Sequence, residues 1–363
     1  MSIKYIALYL PQYHPVAEND RWYGKGFTEW TNVVKAKKLF WGHYEPHIPA
    51  DLGFYDLRLR EVRQEQANLA KEYGIGGFCY WHYWFGNGKE LLDMPFKEVV
   101  KDKDIDLPFA LAWANHSWEK KLWSNQAKNE MMVVQQYPGI DDYRAHYESL
   151  LSAFKDERYI KVDNKPLFLI YQPLHSDEIR KIIILWNNWA KEDGFKGIYF
   201  VGKDFNCKNK RKILEMGFDA VYDDTITNIH SRMTKVQKAF YMGCRKLLGM
   251  PTVFSYKKAM RYMVPESNKE EDVYPLVAPN WDHSPRSGRN SIILHNCKPL
   301  YFEEILRRAT ECVANRKPDN RIVFIKSWNE WGEGNHLEPD LKYGKGYLEA
   351  VKKVFNDYAE YNG

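Results

Sequence analysis

The sequence predicts a single (β/α)8 barrel, and three observations carry that prediction. Eight short apolar runs, rich in β-branched and aromatic residues, recur along the chain. They are continuous rather than alternating, the pattern of parallel strands covered on both faces. Helical patterns lie between them, and no G-x-G-x-x-G follows the first run, which disfavours a doubly wound open sheet. Barrels of this class range from about 200 to beyond 400 residues. All 363 residues are therefore read as one domain, 1–363.

The runs fall at 5–10, 76–80, 109–113, 167–171, 198–201, 220–222, 276–278 and 322–325. Helical spacing appears at 56–73, with Val62, Leu69, Ala70 and Tyr73 on one stripe before Gly74. It recurs at 141–154, 177–191, 208–216, 301–313 and 346–358. Two connections are long, 11–51 and 223–274. The second holds an amphipathic pattern with Val236, Phe240, Gly243 and Leu247 on one stripe. Segment 231–262 carries eight Lys/Arg and no Asp or Glu. Compensating acid at 266–272 favours reading it as the solvated face of an outer helix, over a surface for anionic polysaccharide, diphosphate or membrane.

Barrel chemistry sits just past the C-terminal ends of the strands. Those positions hold Tyr13 and His14 after strand one, and Trp81, His82 and Tyr83 after strand two. Trp113, Asn115, His116 and Trp118 follow strand three, and Tyr171 closes strand four. Asp223 follows strand six, Trp281 and Asp282 strand seven, and Asn329, Glu330, Trp331 and Glu333 strand eight. Aromatic walls interleaved with amides and carboxylates suit a polyhydroxylated ligand. Within 328–334 (WNEWGEG) two carboxylates lie three apart, and a helical turn would bring both to one cavity. Cleavage of a glycosidic bond needs such a pair, one to protonate the leaving oxygen and one as nucleophile or base. Trp328 and Trp331 would desolvate the pair and raise one pKa, and the glycines would allow close approach or unusual φ. The bland alternative is two solvated Glu opening the last helix.

Composition excludes several classes. Hydrophobic residues make up 44% and charged residues 28%, so the chain is neither disordered nor a membrane bundle. The net charge of +5 gives no footprint for nucleic acid. No apolar run approaches the roughly 20 residues of a membrane span. Five Cys without a C-x-x-C pair, and no signal-peptide core near Met1, lead to the expectation of a reduced, cytoplasmic protein. Asp102, Asp104 and Asp106 fit D-x-D but precede strand three, on the wrong face for a metal-held diphosphate. Asp223 and Asp224 are read as hydroxyl ligands or a helix cap. His43 and His47 are four apart, yet Pro46 between them breaks a helix, so no metal and no cofactor is expected.

The chain resembles a known family at several motifs: 6–14 (IALYLPQYH), 26–32 (GFTEWTN), 42–47 (GHYEPH), 77–85 (GFCYWHYWF), 281–286 (WDHSPR), 327–334 (SWNEWGEG) and 337–339 (LEP). These resemble the WbsX-type family, labelled glycosyltransferases of polysaccharide biosynthesis, over nearly the whole chain. That family is similar to the family 99 glycoside hydrolases, retaining endo-α-mannosidases with a (β/α)8 fold. The resemblance implies that Glu330 deprotonates a sugar 2-hydroxyl, which attacks the anomeric carbon, and that Glu333 is the acid/base. It implies an oligosaccharide or polysaccharide substrate, α-linked and mannose-like. At 113–118 (WANHSW) this chain carries His116 where the family pattern implies an acidic residue, which leaves the substrate less constrained than the reaction. Two other functions stay open at this point: a glycosyltransferase or transglycosidase of capsule or O-antigen (lipopolysaccharide) assembly, and a non-catalytic sugar-binding barrel.

Overall fold

The computed structural model describes residues 3–120, 130–224, 226, 229 and 233–360. Eight parallel strands close into a barrel: β1 (Lys4–Tyr9), β2 (Gly77–Trp84), β3 (Phe109–Trp113), β4 (Lys165–Ile170), β5 (Tyr199–Asp204), β6 (Ala220–Asp223), β7 (Val273–Val277) and β8 (Ile322–Ile325). Closure is visible in the register, since Ile6 of β1 lies beside Gly77 of β2 and Phe324 of β8. All eight predicted runs are these strands. Their residues are almost all buried, as a sheet packed inside and out requires.

The outer layer follows the helical patterns: α1 (Arg60–Glu72), α2 (Met94–Lys101), α3 (Ile140–Phe154), α4 (Glu178–Glu192), α5 (Lys210–Glu215), α6 (Lys235–Leu248), α7 (Tyr256–Met263), α8 (Pro299–Val313) and α9 (Gly346–Glu360). In α4 the buried residues Ile179, Ile182, Ile183, Trp186 and Ala190 follow helical spacing and form one stripe against the barrel. The sequence reading misses α2 and α7, each eight residues long, although in α7 the buried Tyr256, Ala259, Met260 and Met263 follow helical spacing.

Two departures bear on function. Strand β2 runs to Trp84, four residues past its predicted end. Residues 81–84 therefore alternate: Trp81 and Tyr83 point into the mouth of the barrel, whereas His82 and Trp84 point to α3, where both pack on His146. Helix α6 starts in a capping box between Thr234 and Gln237, but its apolar stripe faces solvent. Val236, Phe240 and Leu247 are 79%, 65% and 83% exposed, and the helix is held from its other side by Tyr241, whose hydroxyl donates to the Val253 carbonyl. Within the basic segment, Ser231 and Arg232 lie outside the described residues.

The 11–51 connection folds two short helices, Ala17–Tyr23 and Trp30–Lys35, over the C-terminal end of the barrel. Asp102 and Asp104 pair with Arg60 at 2.6 and 3.0 Å at the opposite end, as solvated turn residues. Among the described residues no helix is long and apolar enough to cross a membrane.

Candidate active site

After β8 the chain forms a small hairpin, Asn329–Glu330 paired with Asn335–His336, with a 3-10 turn at Trp331–Glu333 between. That turn brings the two carboxylates, three apart in sequence, to the same cavity. Gly332 is required by close approach, because a Cβ there would lie 1.5 Å from Glu29 Oε1. Gly334 adopts φ +50°, and its Cβ would meet the Asp282 Cβ at 2.6 Å. The predicted need for glycine is met, and the groups that approach are protein side chains.

Buried side chains hold this loop against β1. The Asn329 amide receives the Leu10 N–H at 2.7 Å and donates to the Leu10 carbonyl at 3.1 Å. The Tyr13 hydroxyl donates to the Asn329 carbonyl and accepts the Trp331 N–H. The Trp331 indole donates at 2.6 Å to Glu338, which also accepts from Tyr55 and Gln66. Each of these groups would cost stability if left unpaired in the interior, so the loop has one well-determined position.

The carboxylates face a cleft of about 470 Å³ at the barrel mouth. Trp81, Tyr83, Trp118, Tyr171, His116 and Phe27 line it together with the charged or titratable groups Glu29, His283, Arg286 and Lys326. The Trp81 indole donates to Glu330 Oε1 at 2.7 Å. Arg286 bridges two acids, reaching Glu333 at 2.6 Å and Glu29 at 2.8 Å. His283 lies 3.7 Å from Glu333, and Lys326 lies 3.5 Å from Asp224.

This surrounding splits the pair. Burial, then the neighbouring charge of Glu333, pushes Glu330 up to about 8. Burial would raise Glu333 too, but Arg286, Lys326 and His283 outweigh it and hold it at about 2. At neutral pH the free site therefore carries one proton, resting on Glu330. Burial opposes the charge of Lys326, yet Asp224 and the two glutamates keep it protonated. Lys203, stacked 3.2 Å over the Tyr171 ring, is pushed down to about 7 by burial. Burial and the charge of Lys203 push His116 down to about 4, so it faces the cleft as a neutral ring.

The structure brings Glu330, Glu333, Trp81, Tyr83, His116, Trp118 and Tyr171 together. The remaining expected ligands do not line the cleft. Tyr13, Asn329 and Trp331 are the loop anchors described above. Asn115 is turned to the backbone of Gln172, accepting its N–H at 2.7 Å. His82 faces His146 at 2.7 Å, and Trp113 donates to the Trp84 carbonyl, both on the outer side of the barrel wall. His14 is buried beside the 56–58 turn. Asp223 accepts the Asn206 N–H at 2.6 Å. Trp281 and Asp282 border a second, smaller cavity behind the dyad loop. Strand alternation turns His82 and Trp113 outward, backbone partners hold Tyr13, Asn115, Asp223 and Asn329, and the side chains of His43 and Glu338 hold Asp282 and Trp331. Trp328 is fully buried against Phe78, and the indole that touches Glu330 is that of Trp81.

Glu29, Arg286 and Lys326 escape the sequence reading as site residues. Glu29 and Arg286 lie inside quoted motifs, but nothing in one sequence says that they pair across 257 positions.

A family model described as glycosyltransferase WbsX matches residues 5–351. The uncharacterized protein WxcX of Xanthomonas campestris pv. campestris strain B100 is 37% identical over 356 residues, which is 96% of this chain and 49% of that protein. WxcX of strain ATCC 33913 matches to the same extent. The chain thus spans about half the length of the curated relatives it matches. A solved glycoside hydrolase-like protein superposes with a TM-score of 0.59 at 13% identity, covering 98% of this chain and 94% of that one. The GH99 endo-alpha-mannosidase of Bacteroides thetaiotaomicron gives 0.57 at 15% identity, covering 98% and 97%. These likenesses are of fold, and they share the (β/α)8 barrel. With a family model matching residues 5–351 and a relative 37% identical over 96% of this chain, the protein belongs to the WbsX glycosyltransferase family.

Proposed function

We propose that this chain is a carbohydrate-active enzyme that breaks an α-linked, mannose-like glycosidic bond with retention, using Glu330 and Glu333. The observation that supports this most is the dyad itself. A buried carboxyl and a half-buried one share one turn at the end of β8, and their surroundings drive their proton affinities apart. Separated affinities mark an acid and a base working as a pair. Trp81, Tyr83, Trp118 and Tyr171 give flat apolar faces against which sugar rings stack.

In this reading Glu330 removes the proton of the sugar 2-hydroxyl as that oxygen attacks the anomeric carbon. Glu333 protonates the departing oxygen as its bond to the anomeric carbon breaks, then takes a proton from the water that attacks the same carbon, while the three-membered ring opens and Glu330 returns its proton to the 2-oxygen. The reaction needs one proton on the pair, and the free site holds one. It rests on Glu330, however, so substrate binding has to pass it to Glu333, and displacement of Arg286 from Glu333 is the step that would permit this. An acid is dispensable when the leaving group needs no proton. A glycoside with a low-pKa aryl leaving group therefore separates the roles. Glu333→Gln is expected to keep the first-turnover burst of aryl release while its steady-state turnover slows, because the same residue activates the water, and to lose turnover of the oligosaccharide; Glu330→Gln is expected to lose the burst as well. The reverse pattern would exchange the two roles, and full activity in both variants would end the proposal.

Transfer is the second reading, and the family description favours it. The same dyad would then pass the sugar to an acceptor hydroxyl instead of water. Product analysis with and without a nucleotide sugar separates the two: saturable dependence on the nucleotide sugar supports transfer.

A further inference from the structure

Behind the dyad loop lies a small cavity of about 40 Å³, bordered by His43, His47, Asp282 and Asp340. Pro46 excludes a helix-borne His pair here, as the sequence implies. The fold nevertheless assembles His43, Glu45, His47, Asp282, His336 and Asp340 from three distant segments, and all six are buried.

The hydrogen bonds of this cluster can be followed proton by proton. The Glu338 carbonyl only accepts, so neutral His336 donates Nδ1–H to it at 3.0 Å and offers Nε2 as an acceptor. His47 Nδ1, 3.0 Å from His336 Nε2, must then be the donor. That leaves His47 Nε2 as a bare lone pair, 4.0 Å from Glu45 Oε1. Glu45 Oε1 is itself buried and accepts no hydrogen bond, while Oε2 takes the His47 N–H. On the other side, the Leu39 N–H donates to His43 Nδ1, so His43 carries its proton on Nε2 and gives it to Asp282 Oδ2 at 2.5 Å. Acceptor oxygens of Glu45 and Asp282 lie within 4.8 Å of one another. Lys342 borders the cavity, but its ammonium rests 4.3 Å over the Tyr44 ring.

Glu45 therefore stands 4.0 Å from the bare lone pair of His47 on one side and within hydrogen-bonding reach of the Asp282 carboxylate on the other, two acids held together in the interior with either a shared proton or a cation between them. We propose that these three residues bind a divalent cation of the zinc class, with His43 as the positioning donor that orients Asp282. One imidazole and two carboxylates are a ligand set for zinc, cobalt or manganese. Two ligands each about 2.0–2.2 Å from one ion lie at most about 4.4 Å apart, so the 4.0 Å between Glu45 and His47 fits without rearrangement. The ion would tie the 43–47 segment to the β7 and β8 loops. The Asp282 N–H donates to the Glu333 carbonyl at 2.7 Å, and His336 stacks on Trp331 at 3.7 Å, so the site braces the dyad loop from beneath.

The test is metal content and spectroscopy, and it needs no sugar substrate. The full chain, purified without chelator or histidine tag, is analysed by elemental mass spectrometry. It is then stripped by chelation, checked for fold by near-ultraviolet circular dichroism, and titrated with Co2+. One equivalent of bound metal, a visible Co2+ absorption displaced by Zn2+, and a lower Tm after stripping are expected. Glu45→Gln, which keeps the volume and removes one charge, is expected to abolish the absorption. His43→Gln is expected to weaken binding by about 10–100-fold while the absorption survives at saturation. Substoichiometric metal together with no Co2+ absorption on folded protein would overturn the proposal, and so would undiminished binding by Glu45→Gln. A proton on Glu45 would then be what satisfies the cluster.

Discussion

Replacing Glu330 by Gln is expected to stabilise the protein, and to do so only above acid pH. Glu330 is 5% exposed, and burial together with the charge of Glu333 lifts it from its ordinary 4.5 to about 8. Because the folded value lies above the unfolded one, the folded chain holds a proton that the unfolded chain releases. The cost is nil below 4.5 and grows as pH rises towards 8. At pH 7 the interval is about 2.5 pH units, worth about 3 kcal/mol at roughly 1.4 kcal/mol per unit. Gln is neutral at every pH, has the same shape, and offers an oxygen to the Trp81 indole that now donates at 2.7 Å. For a chain of this length, about 3 kcal/mol corresponds to a rise in Tm of about 4 °C. Thermal unfolding of both proteins from pH 4 to pH 8 is the assay. A gain that grows with pH and vanishes near pH 4.5 is expected. A pH-independent change, or a loss at pH 7, would show that Glu330 is ionised in the folded protein and refute the assigned electrostatics.

Glu333→Gln should behave oppositely. The folded value is depressed, so its contribution is present above 4.5 and lost as pH falls towards 2. The interval of about 2.5 pH units corresponds to about 3 kcal/mol lost at pH 7 when this partner of the half-buried Arg286 bridge is removed, read as a lower denaturation midpoint. Asn329→Ala breaks two buried hydrogen bonds to Leu10, and a loss of about 2–4 kcal/mol in urea unfolding is expected. Trp118→Ala removes part of the cleft lining, and calorimetric titration with a bound oligosaccharide should show affinity lower by about 1–3 kcal/mol, with a lower Tm as well because Trp118 packs on Tyr83 and Phe85.

The barrel is legible in the sequence because a strand buried on both faces is a continuous apolar run, and eight such runs stand clear of the helical patterns between them. The dyad is legible for a similarly local reason: a three-residue spacing and its glycines are contiguous. Direction is harder to read. Trp81–Trp84 look alike as a string, and only the true end of β2 decides that Trp81 and Tyr83 face the cleft while His82 and Trp84 face α3. Asn329 and Tyr13 have the chemistry of sugar ligands but are consumed by backbone groups, Asn329 across 319 positions at Leu10. Arg286 and Glu29 meet only through folding, and with them the charge that divides the dyad. The same holds for the buried cluster around Glu45, whose members come from both ends of the chain.

The central claim is that Glu330 and Glu333 act together on a glycosidic bond. Its most direct test is a reducing-end assay on α-mannans and on the surface polysaccharide of the producing cell, without nucleotide sugar. Wild type, Glu330→Gln and Glu333→Gln would run side by side. New reducing ends from the wild type, lost by about 10²-fold or more in both variants, are the predicted result. Undiminished release by Glu333→Gln on the same polysaccharide would contradict it.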